Sequence, residues 1–414
     1  MKEKMICMSP LQCAYMLNRE NGACHVYLEF QGKEIREEWL RQAWKRLFTV
    51  HPILSGKCDE CGIIHMPEIL DEERIASSFH RIGEEIESRE RFRERVQQRI
   101  IPLEEELACH LYFGITENGK NWIGFELDLT LCDVQSFQIL LRDLGTFYEE
   151  EKKGVFTERK RDVNFLKESK ITKEQRIRDR QYWEARLQTQ QVETWQGTVK
   201  GAEYRAVSEK LSVEEWKKIQ TVAMEMDCKT DEFMLLELCW VLLNEQEKKE
   251  VLVNMPLFSR EREYQDSVGD FTGSMIFRAE LVEQEWQSFM EKHRGLYQED
   301  LSHSAMDGVG VQRLIKKQIG GKFPVPFVFS PSIEEAFPST SCLEQFGELC
   351  YLISQTPGVQ IDAQAYQSRD GLLLQWIYNE REKEQEVERL LKKYKEELLY
   401  RIGSVLKTGK ELNG

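Results

Sequence analysis

Apolar positions along this chain follow two recurring spacings, and together they predict a mixed α/β protein. Ser9-Pro10-Leu11-Gln12 opens a helix running to Arg19, with Ser9 placed to cap it and Pro10 in its first turn. Cys24 to Phe30 alternates with the period of a strand. Glu37 to Val50 carries Trp39, Leu40, Ala43, Trp44 and Leu47 on one side, the pattern of an amphipathic helix. His51-Pro52 ends it, because proline disfavours helix in the residue before it. Ser88 to Arg99 is dense in charge and reads as a solvated helix. Leu107 to Ile115 and Asn121 to Leu127 read as strands. Phe137, Leu140, Leu141, Leu144 and Tyr148 then mark one face of a further helix.

Glu149 to Lys173 is charged and poor in large apolar groups, so it reads as the connection between two lobes, residues 1–165 and 166–414. Asp179 to Leu187 is a helix whose Tyr182 and Trp183 are expected to fill a core. Val213 to Met226 and Thr230 to Leu243 are helices, the second apolar enough to be buried. Val251 to Phe258 is a strand, and the turn Val268 to Ser274 leads into another. Phe323 to Ser330 is apolar but interrupted by prolines, which suits an edge or bridging strand. Leu372 to Tyr378 is a strand, and Glu382 to Leu406 a final amphipathic helix.

With 414 residues, 41% of them hydrophobic, the chain can bury two cores. A net charge of −15 argues against nucleic acid and anionic membrane as partners, since both call for a cationic face. No apolar run approaches the roughly 20 residues of a membrane span. Met1-Lys2-Glu3-Lys4 lacks the apolar core of a signal peptide, so a cytoplasmic location is expected. Eleven scattered cysteines then read as reduced thiols. Cys58-x2-Cys61 has His65 nearby but no second ligand pair, and Asp59, Glu60 and Gly62 look like a hairpin turn. No metal site is expected.

Candidate chemistry gathers at Asp128-Leu129-Thr130-Leu131-Cys132-Asp133-Val134-Gln135-Ser136, between a strand and an amphipathic helix. Locally, Asp133 is a good helix cap. The spacing Asp-x4-Asp-x2-Ser, however, resembles the signature of heterocyclisation domains of nonribosomal peptide synthetases, the cyclising branch of the condensation-domain superfamily. Other segments match in order. Ser9-Pro10-Leu11-Gln12 with Ala14-Tyr15 and Arg19 looks like the opening motif. His51-Pro52-Ile53-Leu54 looks like its His-Pro-x-Leu, with Ser55 where arginine is usual. Asn254 to Phe258, Val268 to Ser274 and Ile353 to Gln364 are similar to later motifs.

The resemblance implies an α/β (α+β) fold of two chloramphenicol-acetyltransferase-like lobes, a V-shaped pseudo-dimer with a central tunnel. It also implies amide formation between a carrier-bound acyl thioester and a carrier-bound cysteine, serine or threonine. Cyclodehydration to a thiazoline or oxazoline would follow. Ordinary condensation domains carry His-His-x3-Asp-Gly; the position of the second histidine is Leu129 here, which moves no proton. Aligning tethered reactants suffices for the first step. Closing the ring on a poorly electrophilic amide requires general acid–base help. The family's aspartate maps onto Asp362. Its hydroxyl residue, usually threonine in Phe-Thr-Ser, maps onto Ser330 in Phe329-Ser330-Pro331.

The candidate reaction residues are thus Asp362, Ser330, Asp128, Asp133 and Ser136. Asp128 and Asp133 serve as organisers, and Asp133 is expected to pair with an arginine. Asp270, Thr272, Gln364 and Thr356 are tunnel candidates. The plainer reading of Asp362 is a hydrogen-bonded strand-end carboxylate. Carrier proteins, met in trans because no carrier or adenylation segment is present, and an adenylating enzyme are the expected partners of a monomeric protein. The phosphopantetheine arm arrives on the substrates, and no dissociable cofactor is expected. Amide formation without ring closure, and a silent carrier-docking protein, are the alternatives.

Overall fold

The computed structural model describes residues 4–83, 88–116, 119–162, 171–187, 203–258, 260–282, 285–318, 325–332, 343–368, 370–379 and 383–411. The chain divides into two compact units. One is Met1–Ser169 with Phe258–Thr272 and Pro338–Pro357; the other is Lys170–Leu257, Gly273–Phe337 and Gly358–Gly414. The boundary expected between residues 165 and 166 lies outside the described residues.

In the first unit a five-stranded sheet runs in the order Gly347–Ser354, His25–Gly32, Asn121–Asp128, Cys109–Ile115, Phe79–Ile82. Only the last pair is parallel. The helices Glu37–Val50 and Val134–Lys153 bury Trp44, Leu47, Phe137 and Leu140. Their apolar stripes were legible because each repeats at helical spacing. Trp44 meets Phe125 of the sheet edge-on, and Phe125 stacks on Phe137. A small sheet of Lys4–Cys7, Ile63–Met66 and Lys57–Cys58 contains the hairpin turn expected at Asp59. Cys58 is buried in it and Cys61 exposed, while His65 pairs with Asp59 at 2.7 Å.

Two expectations need correction here. The charged helix, Arg89–Gln97, is not merely solvated. Phe92 and Val96 are buried, and Arg89 and Arg93 both reach the buried Glu29 at 2.7 Å. A fully buried carboxylate needs such partners, which composition cannot reveal. The connection also does not begin at Glu149. The helix Val134–Lys153 continues into the start of that charged stretch and ends at Gly154, whose φ of 64° suits a left-handed cap.

In the second unit six strands run in the order Gly273–Glu280, Glu250–Leu257, Phe327–Ser332, Ile361–Ser368, Gly371–Asn379, Tyr204–Leu211. The helices Val213–Glu225, Thr230–Glu245 and Glu384–Glu411 share one core with Phe329, Ala363, Ala365 and Trp376. Trp183 and Leu187 instead join Leu252, Ile276, Val311 and Ile315 in a second cluster. Trp183 therefore fills a core as expected. Tyr182 packs against the same cluster, half-buried, while its hydroxyl donates to Asp300 and its ring stacks on His303.

Of the two alternatives for the proline-interrupted strand, edge or bridging, the edge is excluded. Phe327–Ser332 lies inside the sheet, parallel to both neighbours. Its pairing with Glu250–Leu257 covers only Phe327 and Val328. Pro331 thus sits where that neighbour no longer pairs, and its missing N–H is tolerated.

Candidate active site

Asp133 caps the helix Val134–Lys153, accepting from the N–H of Ser136 at 2.7 Å. The same carboxylate accepts from the N–H of Phe271 at 3.0 Å and from Arg260. Arg260 is the arginine partner expected for Asp133. Its guanidinium also donates to Ser136 Oγ at 2.8 Å and lies over the Phe271 ring. Ser136 Oγ in turn donates to Gly269 O at 2.7 Å and accepts from Gly269 N at 2.9 Å. Asp133 and Ser136 together therefore tie the segment Phe258–Thr272 to the start of a helix far earlier in the chain.

Asp128 ends its strand, buried, and accepts from Thr130 N at 2.9 Å and Arg19 at 2.8 Å. The opening motif meets it there. Ser9 and Gln12 close a capping box, and Gln12 Nε2 donates to Thr130 O at 2.7 Å. Ser9 Oγ approaches Asp270 Oδ2 at 3.4 Å, and Thr272 N donates to Asp270 Oδ1 at 3.2 Å. Burial, then the nearby Asp133 carboxylate, push the Asp270 carboxyl up to about 7. Thr356 lies two residues beyond the strand Gly347–Ser354, in this same unit. Asp128, Asp133, Ser136, Asp270 and Thr272 thus form one linked network whose contacts are ion pairs, caps and turn hydrogen bonds.

Ser330, Asp362 and Gln364 lie in the second unit, on two neighbouring parallel strands. In register, Val328 faces Asp362 and Ser330 faces Gln364. Ala363, Ala365 and Phe329 point into the helix-covered core, so the alternate residues point to the opposite face of the sheet. There Ser330 Oγ donates to Asp362 Oδ1 at 3.0 Å. Gln364 Nε2 donates to Asp362 Oδ2 at 2.9 Å, and the Tyr366 hydroxyl donates to Gln364 Oε1. Asp362 and Gln364 are almost wholly buried. The arrangement is a carboxylate with a hydroxyl on one oxygen and an oriented amide on the other.

Reasoning from sequence missed Arg260 and Tyr366. Nothing local marks Arg260 as a partner of Asp133. Tyr366 was accessible, because Asp362, Gln364 and Tyr366 repeat with the period of a strand face.

The two larger sheets are each packed against helices. The condensation-domain profile matches residues 2–406, and the chain belongs to that family. Among curated proteins it is similar to pyochelin synthetase PchE of Pseudomonas aeruginosa, 24% identical over 392 residues. That match covers 89% of this chain and 27% of the relative. It is likewise similar to phenyloxazoline synthase MbtB of Mycobacterium tuberculosis, 26% identical over 406 residues, covering 90% of this chain and 28% of the relative. The chain thus spans little more than a quarter of these relatives. Among solved structures, the EpoB cyclization-docking bidomain from Sorangium cellulosum superimposes with a TM-score of 0.80 at 17% identity, covering 96% of this chain and 84% of that one. The epimerization domain TycB3(E) of tyrocidine synthetase B does so at 0.73 and 17%, covering 98% of each. The mixed α/β fold expected from the pattern is that of condensation domains.

Proposed function

We propose that this chain joins a carrier-bound acyl group to a carrier-bound cysteine, serine or threonine and then closes the new amide to a thiazoline or oxazoline. The observation that carries this reading is the 3.0 Å hydrogen bond from Ser330 Oγ to Asp362 Oδ1. The names of the relatives, among them a phenyloxazoline synthase, support it.

Amide formation starts from an activated thioester, and alignment of the two tethered reactants supplies most of what it needs. Ring closure needs proton transfers at one carbon. The side-chain sulfur or oxygen attacks the amide carbonyl, a new bond to carbon forms, and its proton passes through Asp362 to the carbonyl oxygen. The nitrogen proton then passes through Asp362 to the resulting hydroxyl, which leaves as water as the C=N bond forms. Hydrogens from the nucleophile and the nitrogen thus leave in one water molecule. Ser330 Oγ stands beside the oxygen that handles them. The carriers, and an enzyme that loads them, belong to this proposal as partners.

The test is to supply donor and cysteinyl carriers and weigh the products. Loss of one water beyond the amide supports ring closure, and an Asp362→Asn variant that still loses it at the normal rate refutes the assigned role. Pro331 beside Ser330, with serine in place of threonine, favours a second reading in which the amide alone is made. That reading gives an uncyclised product in the same assay.

A further inference from the structure

Asp362 is fixed by more than the serine. A carboxamide has an oxygen and a nitrogen of nearly the same size, so its orientation is set by what each end meets. In Gln364 the oxygen meets the Tyr366 hydroxyl, and the nitrogen meets Asp362 Oδ2 at 2.9 Å. Tyr366 is largely buried, and a phenol proton directed at Gln364 Oε1 leaves the amide N–H to face the carboxylate. Asp362, Gln364 and Tyr366 are alternate residues of one strand, so the sheet itself holds the three in line. Ala363 and Ala365 anchor the other face in the core.

We infer that Tyr366 and Gln364 are positioning residues that hold Asp362 Oδ2, so that proton exchange during ring closure takes place at Oδ1, beside Ser330. This rests on the cyclising reading above. An N–H donor on Oδ2 favours the ionised carboxylate, which can accept a proton from the nucleophile. If the amide turned round, it would set Oε1 against Oδ2, where only a protonated carboxyl is stable. The proton would then be held on the wrong oxygen.

Among the described residues, Asp362 acts electrostatically on Tyr204 and Tyr366. Burial raises both phenols, so neither ionises in the working range. Neither phenol therefore accounts for a shift in the pH profile of ring closure.

The experiment compares Tyr366→Phe, Gln364→Leu, Gln364→Glu and Asp362→Asn in the full chain, with loaded carriers, following amide and cyclised product by mass. Tyr366→Phe should form amide within about twofold of the parent and lose about tenfold in ring closure, and Gln364→Leu should lose more. Gln364→Glu places two carboxylates in contact, sharing a proton, and should move the pH profile of ring closure upward. A purely structural role would scale the rate and leave the profile where it was. Normal ring closure in Tyr366→Phe and Gln364→Leu, with Asp362→Asn inactive, overturns this inference and leaves the cyclising reading intact. Normal ring closure in Asp362→Asn overturns both. Should Tyr366→Phe fail to fold, the unshifted profile of the near-isosteric Gln364→Glu refutes the inference alone.

Discussion

Arg260 donates to Asp133 across a sequence separation of 127, and both side chains are 3% exposed. The pair joins the cap of one helix to a segment that arrives after the chain has entered its second unit. Removing the cation leaves a buried carboxylate with only backbone donors. Arg260→Ala should therefore cost about 3 kcal/mol or more of unfolding free energy, the range for breaking a buried pair. Arg260→Lys should cost less, since one charged donor remains. Denaturant titration of both variants checks the order, and equal stability would refute the structural role.

Ser330→Ala and Ser330→Thr should move ring closure in opposite directions. Alanine removes the donor to Asp362 Oδ1, and a hydrogen bond to a charged group is worth about 1.5–3 kcal/mol, or roughly tenfold or more in rate. Threonine keeps the hydroxyl and narrows its rotamers through β-branching, so cyclised product should form at least as fast as in the parent. Amide formation should change little in either. Mass analysis of a time course separates the two products.

Stability should depend on pH through His51. Its Nε2 lies 2.8 Å from Asp143 and its Nδ1 3.9 Å from Asp162. Burial acts to lower its affinity for a proton, but these carboxylates outweigh it and the net shift is upward. A histidine raised in the folded state stabilises fully below its unfolded value of about 6.5, and that contribution is lost as pH rises through the folded value. Asp143 is shifted down, against burial, by His51 and Arg142. Its contribution is present above about 3.9 and lost as pH falls through the folded value. Unfolding free energy measured across pH should show both edges, and His51→Gln should erase the alkaline one.

Asp270 carries the opposite sign. Its folded value of about 7 exceeds the ordinary carboxylate value, so between about pH 4 and 7 the folded chain binds more protons than the unfolded one. Stability from this group therefore falls as pH rises through that window. Asp270→Asn keeps an acceptor for Thr272 N and removes the titration, so the variant should gain on the parent at pH 8 and not at pH 4. A parallel pair of pH curves would refute this.

How much of this was readable beforehand follows from where each partner lies in the chain. The helices Glu37–Val50 and Thr230–Glu245 were visible because an apolar stripe or an apolar run is a local property. The caps at Ser9 and Asp133 were visible for the same reason. Asp362 and Ser330 could be named as candidates because each sits in a short motif. The strand Gly347–Ser354 was not recognised: its residues alternate weakly, and its pairing partner His25–Gly32 is more than 300 positions earlier. The strand Phe327–Ser332, legible only as edge or bridging, shows the same limit, since proline reports a missing donor and not which neighbours are present.

Sequence by itself determined the mixed α/β class, the positions of most helices and the short list of carboxylates and hydroxyls that chemistry would need. Those are set by backbone propensity and by the spacing of apolar side chains, which act over a few residues. Only the tertiary structure decided that Arg260 closes on Asp133, that Glu29 gathers two arginines, and that Tyr366 and Gln364 face Asp362 beside Ser330. Each of those contacts is fixed by how a polar group, taken out of water, must find a partner from whatever strand or helix the fold brings beside it.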